Sequence, residues 1–293
     1  VKAVVTRDLS AGVSSSGHVA DCSYVGALIE EARDELQTKE RRCVVAVSEP
    51  DAVLRVVEFP KMTENERRRA AVFEAQRYID YAIKNATVRL HPVNERQQLF
   101  ALGVVRSDTL HSRIAALKSG GLRPIAVDHE ALALSRALPG YDAILDVGSE
   151  RTSVHLCIPG EPLTLQHVGG GAIITRGIER ELSIDAASAE KRKRILGTVG
   201  AGEAARRAFL ADVTSLLESA SVRIDRMRRI ALVGNGARLH NFASDLERAT
   251  GLLVETPASK VLLGSVYPAD VVKASAPDWN LAVGLTTWGA AAA

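Results

Sequence analysis

The stretch Ala143–Ile158, A-I-L-D-V-G-S-E-R-T-S-V-H-L-C-I, constrains this chain more than any other. Two β-rich runs, Ala143–Val147 and Thr152–Ile158, flank a short polar turn of Gly148, Ser149 and Glu150. That pattern predicts a β-hairpin. Asp146 ends the first strand two residues before the glycine, and Ser149, Thr152 and Ser153 follow. Glycine lets backbone N–H groups come close to an anion, and neighbouring hydroxyls can donate to phosphate oxygens. A carboxylate beside them can hold a hydrated Mg²⁺. The same letters also suit an ordinary hairpin whose Asp merely ends a strand, so the rest of the chain has to decide.

The 293 residues leave room for two domains. Lys+Arg 37 against Asp+Glu 35 gives a formal charge of +2, so no bulk field calls for nucleic acid. Aromatic residues at 4% offer no stacking platform for single strands. Cys22, Cys43 and Cys157 are far apart and lack metal-ligand spacing, which fits a reduced, cytoplasmic setting. No apolar stretch approaches the length of a membrane span and no signal peptide is visible, so any membrane association is expected to be indirect. The sequence starts at Val1 inside a β-like run, Val1–Thr6, and an N-terminal truncation is expected.

In order, the pattern predicts a helix over Tyr24–Thr38 and strands at Arg42–Val47 and Val53–Phe59. Thr63, with Glu66 three residues later, predicts a capping box opening a helix that runs to about Ile79. Strands Ala86–Leu90 and Gln97–Val105 follow, then a helix from Ser107 or Asp108 to Gly120-Gly121. Val53–Gly121 therefore reads β, α, β, β, α, an α+β insert between α/β segments. Leu122–Val127 is a strand, Glu130–Leu138 a short helix, and Pro162–Val168 the strand after the hairpin. Gly169-Gly170-Gly171 then leads into a helix, Ala172–Leu182, whose N-terminal N–H groups could receive phosphate. Helices are expected at Asp185–Ile195 and Glu203–Arg223. Arg229–Val233, the turn Gly234-Asn235-Gly236-Ala237 and a helix over Leu239–Thr250 make a strand–glycine turn–helix unit that can admit a nucleotide. Leu252–Glu255 is a last strand and Asn280–Trp288 a terminal helix.

Taken in this order, the pieces resemble the actin-like ATPase superfamily. The Asp146–Thr152 hairpin looks like its second phosphate loop. Ile230–Gly251, I-A-L-V-G-N-G-A-R-L-H-N-F-A-S-D-L-E-R-A-T-G, resembles its adenosine motif. Ala189-Glu190 followed by Lys193 is similar to the A-E-x-x-K pattern of the FtsA and PilM branch, and Gly169-Gly170 with Ala172–Thr175 and Ile178 to its G-G-x-x-(I/L)-T segment. Asn280–Thr287, N-L-A-V-G-L-T-T, resembles the closing helix. Val53–Asp80 and Gly121–Leu138, the latter reading G-L-R-P-I-A-V-D-H-E-A-L-A-L-S-R-A-L, narrow the likeness to the PilM family of type IV pilus assembly proteins. The sequence departs from that family in three places. Only Val1-Lys2 matches the tail of the first phosphate loop D-I-G-S-S-x-V-K, Asn235 replaces a glycine of the adenosine turn, and Asp80 stands where proline is usual. Asn tolerates a left-handed conformation, so the turn is expected to survive.

The resemblance implies an α/β, actin-like (ribonuclease H-like) two-domain fold: domain 1 over 1–141 with an inserted subdomain at about 53–121, and domain 2 over 142–293. The last helix, about 280–289, would pack back on domain 1. ATP and Mg²⁺ would be the cofactors. Asp146 would hold Mg²⁺ through water, Gly148, Ser149 and Thr152 the β/γ-phosphates, and Gly170 and Gly171 the α/β-phosphates. Glu190 and Lys193 would contact the nucleoside, with Gly234, Asn235 and Gly236 behind the base and α-phosphate. Glu130 matches a position from which superfamily members orient water, and an acid there also stabilises a helix start. The implied protein is a cytoplasmic assembly scaffold, at most a weak ATPase, binding the cytoplasmic tail of a PilN-like inner-membrane protein, with pilus ATPases as further partners. Rival readings are a sugar or acyl kinase of the same superfamily, an FtsA-like division protein and a type II secretion L-like scaffold.

Overall fold

The computed structural model describes residues 3–10, 12–15, 17–94, 96–158, 163–167, 169–224, 227–258 and 276–289. The chain divides into two compact units, one of 1–133, 159–162 and 285–293, the other of 134–158 and 163–284.

In the first unit a small antiparallel pair, β1 (Ser14–Ser15) and β2 (His18–Val19), precedes helix α1 (Cys22–Glu35). Asp21 caps that helix by accepting the Tyr24 N–H at 2.9 Å. Strand β3 (Arg42–Val47) pairs in parallel with β7 (Arg123–His129) across the intervening insert. The insert has the expected element order: β4 (Ala52–Glu58), α2 (Glu64–Ala75), β5 (Ala86–Asn94), β6 (Leu99–Arg106) and α3 (Ser107–Ser119). Its three strands lie antiparallel in the order β4-β6-β5. Inward-facing Val53, Val57, Phe100, Leu102 and Val104 pack with Phe59 under Ala71 and Ala75 of α2. Alternate residues of each strand thus supply a core of their own. Thr63 and Glu66 form the predicted capping box, in which each side chain accepts the other's backbone N–H. Helix α4 (Glu130–Ala137) follows β7, and His129 at the junction accepts the Ala131 N–H on Nδ1 at 3.2 Å.

The second unit is built on a five-stranded sheet in the order β10-β9-β8-β11-β12. Strands β8 (Ala143–Val147), β9 (Thr152–Leu156) and β10 (Leu163–His167) form an antiparallel meander. After α5 (Ala172–Leu182), α6 (Ala186–Leu196) and α7 (Glu203–Ser221), β11 (Arg229–Val233) joins β8 in parallel. Helix α8 (Phe242–Thr250) leads to β12 (Leu253–Glu255), parallel to β11. Ala143, Leu145 and Val147 face the helices, meeting Ile174, Ile178, Phe209, Val213 and Phe242. Ile144, on the opposite face, packs with Ala231 and Val233 under Leu134, Leu138 and Tyr141. Both faces of β8 are therefore buried, which is why its sequence is an almost continuous apolar run. Asp146 is the polar exception. A short helix, α9 (Asn280–Thr286), ends the described chain.

Four expectations are corrected. Ala3–Thr6 joins no strand, and Val1-Lys2 lies outside the described residues. β-Propensity without a ladder partner does not make a strand. Strand β5 runs past Leu90 through Pro92 because it is an edge strand, where a missing N–H is tolerated, and its register shifts between Pro92 and Asn94. Helix α2 stops at Ala75 rather than near Ile79. Helix α8 starts at Phe242, not Leu239, because Asn235–Arg238 is a 3₁₀ turn and Asn241 takes a left-handed φ of 57°. The outer residues of the Pro162–Val168 run lie outside the described residues.

Candidate functional site

The β8–β9 hairpin places Asp146 opposite Ser153 and Val147 opposite Thr152. Its turn closes with the Gly148 N–H donating to Arg151 O at 2.9 Å. Ser149 is exposed at the tip. The carbonyls of Gly148 and Ser149 point at the start of α5, accepting the Gly171 and Ala172 N–H groups, both at 2.9 Å. Beneath them the buried Thr152 hydroxyl donates to Gly169 O at 2.8 Å. A Cβ on Gly170 would sit 2.5 Å from Ser149 O, so only glycine lets the two loops meet. The hairpin and the glycine triplet are one hydrogen-bonded junction.

Lys193, with its side chain 9% exposed, reaches this junction from α6. Its Nζ lies 2.6 Å from Glu190 Oε2 and donates to Thr175 Oγ1 at 2.8 Å and Gly171 O at 3.0 Å. The Thr175 hydroxyl donates to Glu190 Oε2 at 2.6 Å, and Arg194 holds the other carboxylate oxygen at 3.0 Å. Burial alone would raise the Glu190 carboxyl, but hydrogen bonds from Lys193 and Thr175 outweigh it and hold the group below its ordinary range. All three Lys193 donors are engaged. Thr175, at the centre of the network, carried no assigned role in the sequence. Its position four residues after Gly171, on the inner face of α5, was the available signal.

The Gly234–Gly236 turn packs against the end of β8. Gly234 has a φ of 76°, and a Cβ there would overlap Asp146 Oδ1 and lie 2.8 Å from Val147 O. A Cβ on Gly236 would overlap the Val147 side chain. Asn235 is exposed, and the left-handed residue of the turn is Gly234, so the substitution of asparagine for glycine at 235 imposes no left-handed strain. Sequence reasoning also missed how this turn is anchored. Arg238 grips Asp278 with two bonds of 2.8 and 2.9 Å, Pro277 O accepts the Gly234 N–H at 3.3 Å, and buried Asn280 donates to Pro257 O at 3.0 Å and Pro277 O at 3.2 Å.

Asp146 therefore lies between the hairpin turn and the Gly234 turn. Its carboxylate makes no hydrogen bond among the described residues, and burial pushes it up to about 6. An unpaired, desolvated carboxylate is suited to a hydrated cation, whose charge would offset that desolvation. The start of α5 is less open to an anion, because its Gly171 and Ala172 N–H groups are already bonded. Asp146, Gly148, Ser149, Thr152, Gly170, Gly171, Glu190, Lys193, Gly234, Asn235 and Gly236 all lie in the second unit. Glu130 opens α4 and belongs to the first unit.

A two-unit α/β chain with this hairpin, glycine junction and strand–turn–helix has the actin-like two-domain fold. The ethanolamine utilization protein EutJ from Carboxydothermus hydrogenoformans shares it at a TM-score of 0.60 and 15% identity, over 95% of this chain and 79% of that one. The solved PilM-PilN type IV pilus biogenesis complex matches at a TM-score of 0.85 and 26% identity, over 98% of this chain and 91% of that one. The family model described as type IV pilus assembly protein PilM matches residues 1–288, and the chain belongs to that family. No curated protein sequence matches it. Among the described residues, no helix is long and apolar enough to cross a membrane.

Proposed function

We propose that this chain is a nucleotide-responsive scaffold of type IV pilus assembly that binds the cytoplasmic tail of a PilN-like inner-membrane protein. The observation that supports it is the near-full-length likeness to the PilM-PilN complex, together with membership of the PilM family. The working place would be the cytoplasmic side of the inner membrane, reached through the partner.

ATP with Mg²⁺ is the proposed ligand of the second unit. Asp146 would hold the hydrated cation, with Gly148 and the exposed Ser149 beside the terminal phosphates. Gly170 and Gly171 would lie under the inner phosphates, and Gly234, Asn235 and Gly236 behind the nucleoside. Glu190 has a third of its side chain exposed and could accept from a ribose hydroxyl. Lys193 and Thr152, whose donors are engaged within the protein, would position the loops rather than touch the nucleotide. Bound Mg·ATP would supply a charged ligand that ties the hairpin to the glycine turns. Glu130 is assigned only the helix-start role that any acid there can fill.

Co-purification tests the scaffold role. A tagged PilN-like protein should retain this chain, and deletion of its cytoplasmic tail should abolish retention. Undiminished retention without the tail would contradict the proposal.

A further inference from the structure

The C-terminal end of α6 and the loop after it display apolar side chains in a fixed form. Ile195, Leu196 and Val199 are 69%, 51% and 73% exposed. The same loop is anchored from within. Buried Thr198 donates to Glu203 Oε1 at 2.5 Å, Ala201 is 3% exposed, and the Gly202 N–H donates to Glu181 Oε2 at 2.8 Å. Arg192 holds Val199 O from the preceding helix. Gly197, Gly200 and Gly202 take φ values of 61°, 80° and 87°, which lets the chain turn tightly enough to present the three aliphatic groups outward. An ordered helix end and loop that together expose three neighbouring aliphatic residues mark an interaction surface.

Charge decides the occupant. Lys191 and Arg194 are exposed within two turns of Ile195, Arg194 sharing Glu190, and Arg207 is exposed beyond the loop, whereas Lys193 and Arg206 are largely buried and paired with Glu190 and Asp245. Aliphatic groups with a collar of Lys and Arg match a lipid surface with anionic headgroups: the cations meet phosphates and the side chains enter the acyl boundary. We infer that the Lys191–Val199 tip docks directly on an anionic membrane surface. This contact is separate from the proposed tail binding and does not rest on it.

Sedimentation of the full chain with lipid vesicles tests the inference. Vesicles containing phosphatidylglycerol should carry the protein down, pure phosphatidylcholine vesicles should not, and salt at about 0.5 M should release it. Val199→Asp should weaken sedimentation at least tenfold and Lys191→Glu about tenfold. Both sites are exposed, so both variants should keep the wild-type melting temperature and the wild-type response to the partner's tail peptide. Failure of the wild type to sediment with anionic vesicles would overturn the inference. So would equal binding to phosphatidylcholine, or Val199→Asp binding like the wild type. Loss of a protein partner by Val199→Asp with vesicle binding unchanged would assign the tip to a protein contact instead.

Discussion

Gly234 packs so closely on Asp146 that a Cβ on the glycine would overlap the carboxylate's Oδ1. The two residues lie at the C-terminal ends of neighbouring parallel strands, β11 and β8. That is where an open α/β sheet receives a ligand. Gly234→Ala combines a left-handed φ with steric overlap and should cost at least about 2 kcal/mol. Gly251→Ala is the control, since its φ is 72° but no atom lies within 4 Å of the added carbon. It should cost about 1 kcal/mol. Urea denaturation of the two variants measures the difference, and equal losses would mean that Asp146 and Val147 yield to the new methyl group.

Asp146 should destabilise the ligand-free protein. Its folded pKa, about 6, is raised above the ordinary 3.8. Stability tied to its protonated form is present below the unfolded pKa and lost as pH rises through the folded one. Asp146→Asn should therefore be more stable than wild type by about 3 kcal/mol at pH 7, with most of the gain gone near pH 4. Denaturant titrations at the two pH values check this, and a gain independent of pH would mean that the amide acts by another route.

His129 acts in the opposite sense. Burial depresses its pKa to about 4 from 6.5, and the neutral ring accepts the Ala131 N–H while its Nε2 lies 3.3 Å from Ala52 O. Its contribution is complete above the unfolded pKa and is lost as pH falls from 6.5 through 4, by up to about 3 kcal/mol. His129→Gln should be less stable than wild type at pH 7 and lose less on acidification. An unchanged acid slope would exclude His129 as its source. The Asp146 and His129 windows overlap with opposite signs, so the single variants are needed to separate them.

Lys193→Met keeps most of the volume and removes three hydrogen bonds. Because Glu190 is one-third exposed, solvent screens part of the loss, and the variant should be destabilised by about 2 kcal/mol. The Glu190 carboxyl should rise toward its ordinary value when Lys193 is gone. Carboxyl chemical shifts followed with pH read this directly, and an unmoved Glu190 would leave Thr175 and Arg194 as the groups that hold it down.

The order of elements was legible because local signals carried it. β-Rich runs marked the strands, Thr63 and Glu66 marked the start of α2, and Gly120 and Gly121 marked the end of α3. The β8–β9 hairpin lies where its residues predict it. Long-range contacts were not legible. The sequence suggests that Gly170, Gly234 and Gly236 make room for a ligand, whereas their immediate neighbours are Ser149, Asp146 and Val147. Thr152 and Lys193 were expected to point at phosphates or nucleoside, yet their donors bond Gly169 O, Gly171 O, Thr175 and Glu190. No periodicity encodes which backbone carbonyl will lie opposite a side chain 17 or 22 residues away.

Titration of the PilN-like protein's cytoplasmic tail peptide into the purified chain, with and without Mg·ATP, tests the central claim most directly. Binding should be saturable and one-to-one, with an affinity that shifts when Mg·ATP is present for the wild type and not for Asp146→Asn. No binding of the peptide in either condition would contradict it.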